Sequence, residues 1–165
     1  MTESHNLNTP RMEIHKLVPD YYRAMAAVES VPKHIEQSLH ELIKIRVSQI
    51  NGCGFCLDAH SREAMAGGET VQRIVLLDAW RESPQFSERE RAALALAEAV
   101  TLISVDQVPD DVYNEAAECF EPQELGELIW RIAMINVWNR IAITTRMVPG
   151  SYKPRVAASA SAPAG

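Results

Sequence analysis

Residues Glu41–His60 read ELIKIRVSQINGCGFCLDAH. Together with Ile35 and Leu39 upstream, Leu42, Ile43, Val47 and Ile50 recur with the helical period and share one face. Asn51-Gly52 breaks that pattern, and a second helical pattern starts at Cys53. Two helices joined by a tight turn are therefore predicted, with Cys53-Gly54-Phe55-Cys56 at the start of the second. Gly67-Gly68 marks its end, because glycine accepts the left-handed conformation that closes a helix.

Helical periodicity dominates on both sides of this stretch. Upstream, one helix is predicted from about Asp20 to Ser30, and Pro32 opens the one that ends near Ile50. Downstream, a short helix covers about Thr70 to Asp78. Ser87 caps the next, with Glu90 three residues on completing a capping box. Asp110 or Asp111 caps another that ends near Cys119, and a long one runs from about Pro122 to Met147. No run alternates in the manner of a strand, and no internal repeat is visible. The prediction is an all-α fold: one compact domain of about seven helices over residues 1–150, with an irregular arm over 1–18. Residues 151–165, rich in Ala, Ser and Pro, are predicted to be a flexible tail.

The 165 residues are 47% hydrophobic and 23% charged, the balance of a folded domain. A net charge of −6 argues against a nucleic-acid binder. No apolar run reaches the length of a membrane span. The opening residues mix Glu3, His5, Arg11 and Glu13 without an apolar block, so no secretory leader is expected. Three cysteines are too few for a disulfide framework, and a cytoplasmic location is expected.

The chemistry concentrates at the cysteine pair. Two cysteines separated by two residues can close a small disulfide. A helix N-terminus there favours a thiolate through its free N–H groups and dipole. His60 follows Cys56 by four positions and shares its helix face, so the imidazole is placed to take the thiol proton. Spacing alone leaves three readings open: redox chemistry, zinc binding by two cysteines and a histidine, and inert packing.

Other residues read as structural. Asn136 and Arg140 wind onto the same side of the last helix as Leu125, Ile129, Ile132 and Ile143, which calls for a hydrogen-bond network or a subunit contact. Arg46 falls inside an apolar arc and is assigned to snorkelling or an ion pair. Glu41 winds toward Gln37, Lys44 and Ser48, away from the main apolar arc. His5, His15, His34 and His40 are read as surface or structural residues, with His34 in a first helical turn. Cys119 is read as a buried free thiol. Trp80, Trp130 and Trp138 suit a core, and the latter two also suit a subunit contact.

Glu41, eleven residues, Cys53-x-x-Cys56, three residues and His60 together resemble the active-site motif of the AhpD-like alkylhydroperoxidases. These belong to the carboxymuconolactone decarboxylase superfamily. The Ser48–Gly52 lead-in, the Gly67-Gly68 helix end and the segment Ile135–Arg140 are similar too, and the likeness spans about Pro19 to Tyr152. The resemblance implies an AhpD-like fold that assembles as a trimer or hexamer. It implies an antioxidant peroxidase acting on hydroperoxides through a redox-active disulfide, with no bound cofactor and no metal. Cys56 would attack the peroxide, and His60 with Glu41 would relay its proton. Cys53 would resolve the product to a disulfide, lying nearer the surface where a thioredoxin-like or lipoyl-type dithiol reduces it. Better-known family peroxidases often carry a histidine just before the second cysteine, where this chain has Phe55. The alternatives are a slow redox-sensing oligomer without efficient turnover, and a carboxymuconolactone decarboxylase-like enzyme.

Overall fold

Helix α3 (Gln37–Asn51) forms the centre of the structure. The computed structural model describes residues 6–31, 34–150 and 152. Among these there are nine α-helices, and the others follow in chain order around α3. They are α1 (Ile14–Leu17), α2 (Pro19–Glu29), α4 (Gly54–Ala66), α5 (Val71–Leu76), α6 (Glu88–Thr101), α7 (Ile103–Asp106), α8 (Asp110–Cys119) and α9 (Pro122–Thr145). The all-α prediction holds, but the count of seven is low. The two additional helices, α1 and α7, are single turns too short to display a period. One of them, α1, lies in the arm expected to be irregular. The tail from residue 153 onward falls outside the described residues.

One face of α3 carries Leu39, Ile43 and Val47 into a core shared with α6, α8 and α9. The other carries Leu42 and Ile45 into a second cluster with Leu77, Trp80, Phe86 and Leu94. With both faces covered, α3 buries His40, Glu41, Lys44 and Ser48 as well. Each fully buried leucine or isoleucine contributes roughly 1.5–3 kcal/mol from apolar burial.

The helix expected to open at Pro32 opens instead at Gln37, behind an extended Glu36; Pro32 lies outside the described residues. His34 therefore precedes the helix, and its backbone N–H and ring both meet the Glu127 carboxylate. Gly52 ends α3 at φ 69°, and a Cβ there would meet no other atom, so its requirement is conformational freedom. The Ser87–Glu90 capping box forms as predicted. Another, between Glu121 and Glu124, starts α9.

The buried seam of α9 runs Leu125, Leu128, Ile132, Ile135, Asn139 and Ala142, alternating steps of three and four. Ile129, Arg140 and Ile143 flank that seam and are exposed, against the expectation from simple winding. Asn136 is buried as expected.

Candidate active site

Cys53 is the N-cap of α4, and its sulfur accepts the backbone N–H of Cys56 at 3.4 Å. A cysteine in that position satisfies one of the free amides at the helix start. The Cys53 and Cys56 sulfurs are joined in a disulfide, with Cα atoms 5.4 Å apart. Both residues are buried, Cys53 at 1% exposure and Cys56 at 3%. Cys53 is therefore not the surface-facing partner that the resemblance implied. Its position in the turn between two packed helices places it in the core.

One turn beyond Cys56, His60 points its Nδ1 at Glu41 Oε2, 2.9 Å away. A carboxylate on Nδ1 fixes the neutral tautomer with its proton there and leaves Nε2 as the free base. Glu41 is only 4% exposed. Its other oxygen accepts a hydrogen bond from Gln37 Nε2 at 2.9 Å and faces Lys44 Nζ at 3.6 Å. His40, fully buried, has Nδ1 4.0 Å from the same oxygen. The polar arc of α3 is thus the inner wall of the site and not a solvated surface.

A second polar cluster anchors the α3–α4 turn. Asn51 Nδ2 donates to Asn136 Oδ1 and Asn139 Oδ1, both at 2.9 Å. Asn139 donates on to Ser48 Oγ, and Asn136 to Thr101 Oγ1. These amides tie the residues just before Cys53 to α9, the network that Asn136 called for. The sequence segments flanking them were visible, but Asn51 stands 85 and 88 positions from its partners Asn136 and Asn139, and that pairing had no local signal.

Elsewhere the structural readings stand. Arg46 pairs with Glu98 at 2.8 Å and also with Asp78. Cys119 is a free thiol, though half-buried and not fully buried. Trp80 is buried, and Trp130 is 66% exposed. Among the described residues no group of three His, Cys, Asp or Glu is arranged to hold a metal ion. No helix among them is long and apolar enough to cross a membrane.

Residues 17–99, half of the chain, match the carboxymuconolactone decarboxylase family. The chain is 42% identical over 135 residues to the uncharacterized protein YdfG of Bacillus subtilis (strain 168), covering 81% of this chain and 92% of YdfG. An Agrobacterium tumefaciens protein of unknown function, grouped with the antioxidant defence protein AhpD, superposes with a TM-score of 0.82. It is 36% identical, and the match covers 87% of this chain and 100% of that one. The debrominase Bmp8 shares the fold at 23% identity, with a TM-score of 0.72 over 82% of this chain and 74% of its own. The chain belongs to the carboxymuconolactone decarboxylase family and is AhpD-like within it.

Proposed function

We propose that the chain is a thiol-dependent hydroperoxide reductase. The observation that carries this reading is the Glu41–His60 contact at 2.9 Å, one helical turn from a buried cysteine pair. In the reduced protein, neutral His60 takes the Cys56 proton, and the Glu41 carboxylate stabilises the imidazolium so formed. The Cys56 thiolate attacks one peroxide oxygen, forming an S–O bond as the O–O bond breaks. The departing alkoxide takes the proton from His60 and leaves as an alcohol. The Cys53 thiol then attacks the sulfenic acid, releasing water and forming the disulfide. An external dithiol, thioredoxin-like or lipoyl-bearing, gives up two electrons and two protons and restores both thiols. We assign it a homo-oligomeric state and a cytoplasmic setting as parts of the same reading.

Stopped-flow oxidation of the reduced protein by hydrogen peroxide and by an organic hydroperoxide tests this reading, with Cys56→Ser as control. Fast peroxide-dependent oxidation that Cys56→Ser abolishes supports it. The burial of both sulfurs favours a second reading, a redox sensor that oxidises without efficient turnover. Slow oxidation with negligible steady-state peroxide consumption in excess dithiol selects the sensor.

A further inference from the structure

We infer that Lys44 and Glu29 are positioning residues that set the charge state of Glu41 and, through it, the acidity of the Cys56 thiol. The inference rests on the roles proposed above for Cys56, His60 and Glu41. Lys44 is only 8% exposed. Its ammonium lies between two carboxylates, Glu41 at 3.6 Å and Glu29 of α2 at 3.4 Å. Glu29 also faces Arg131 of α9 at 3.6 Å, and Arg131 reaches Glu127 at 3.3 Å. A row of alternating charge therefore leads away from His60: Glu41, Lys44, Glu29, Arg131, Glu127. Among the described residues, the groups facing Glu41 and Lys44 include Gln37 and His40 on α3, His60 on α4 and Glu29 on α2, with Arg131 on α9 behind Glu29.

Each charge in this row has a signed consequence. Burial disfavours the ionised form of a carboxylate, and the Lys44 ammonium 3.6 Å away offsets part of that cost at Glu41. Removing Lys44 takes that contribution away. If Glu41 then takes a proton, it no longer supports the His60 imidazolium; if it stays ionised, the neighbourhood of the thiolate becomes less positive. Either change disfavours the thiolate. Removing the charge of Glu29 does the reverse, because Lys44 and Arg131 lose a counter-ion and the site becomes more positive. A side chain that merely ties α2 down would lower stability in both variants and would not give shifts of opposite sign.

The test uses the reduced full-length chain in a Cys53→Ser, Cys119→Ser background and follows iodoacetamide alkylation of Cys56 against pH. It needs neither peroxide nor reductant. Lys44→Met is expected to move the alkylation midpoint upward by about 0.5–1 pH unit, roughly a three- to tenfold loss of thiolate below the midpoint. Lys44→Arg is expected to restore it, and Glu29→Gln to move it downward. Glu29 is the less buried of the two, so its variant decides the sign even where Lys44→Met fails to fold. Unchanged midpoints in Lys44→Met and Glu29→Gln, or shifts in the same direction, overturn the inference if Glu41→Gln still moves the midpoint. If neither His60→Ala nor Glu41→Gln moves it, the proposed relay itself fails and this inference falls with it.

Discussion

Glu41 and His60 stand nineteen positions apart in sequence, yet Oε2 of one lies 2.9 Å from Nδ1 of the other. The contact exists because α3 and α4 fold back on each other at Gly52, and Cys56 shares the helix that carries His60. The helix dipole favours a thiolate at Cys53 by about 0.3–1 kcal/mol, whereas in the proposed relay the base one turn away acts on Cys56.

Cys53→Ser is therefore expected to trap a sulfenic acid at Cys56 after one equivalent of peroxide, detected with a dimedone label and mass spectrometry. Cys56→Ser should leave Cys53 comparatively unreactive. A labelled Cys53 in the Cys56→Ser protein, formed at near wild-type speed, would reverse the two roles.

His60→Ala should slow oxidation of Cys56 by about 10²-fold or more, the usual scale for losing a positioned base. Glu41→Gln keeps an acceptor for Nδ1–H but removes the charge. Its loss should be nearer tenfold, about 1.4 kcal/mol in the barrier. Stopped-flow rates on the two proteins rank them; a Glu41→Gln protein as slow as His60→Ala would mean that the carboxylate does more than support the imidazolium.

Asn139→Ala removes a fully buried amide that accepts from Asn51 and donates to Ser48. Leaving those partners unsatisfied should cost about 1–3 kcal/mol and lower Tm by several degrees. Loosening the turn before Cys53 should also speed reduction of the disulfide by dithiothreitol. A protein of wild-type stability would remove the anchoring role.

Burial raises the tendency of Glu98 to hold its proton, but hydrogen bonds from Trp80, Arg81 and Arg46 outweigh it and keep the group below its ordinary value of 4.5. A depressed carboxylate stabilises the fold above its unfolded value and loses that contribution as pH falls through its folded one. Urea unfolding of the wild type should therefore show stability declining below about pH 4.5. Glu98→Gln should be less stable at pH 7 and show a shallower acid-side decline. Parallel pH curves for the two proteins would contradict this.

Light scattering at micromolar concentration should give a mass well above the 18.4 kDa of one chain. The exposed Trp130, Val137 and Ile143 on one helix motivate this, since a lone domain leaves them in water. A monomer mass would refute it.

The backbone plan was legible because strong signals marked it: Gly52, Gly67-Gly68, the Ser87–Glu90 box and Pro122 all sit where helices start or stop. The turn-length helices α1 and α7 left no such trace. Within the site, Cys53, Cys56 and His60 were readable from local spacing alone. Glu41 was harder, since winding reveals only one apolar arc and the rest looks solvated. That inference fails for a helix packed on two sides, where polar residues are buried in pairs. Arg131 escaped notice for a related reason: its partners on α2 and in the following loop lie about one hundred positions upstream.

No residue of α2 is buried, whereas α3 buries nine. Local opening costs least where few apolar groups leave the core, so amide hydrogen exchange should be fast along α2 and slowest along α3. Glu29 thus rides on one of the first segments to open, while Glu41 and Lys44 sit on one of the last. On the proposed coupling, each brief opening of α2 strips a counter-ion from Lys44 while the backbone of α3 stays protected, so fluctuations at the edge of the molecule would reach the thiol as changes of charge and not of shape.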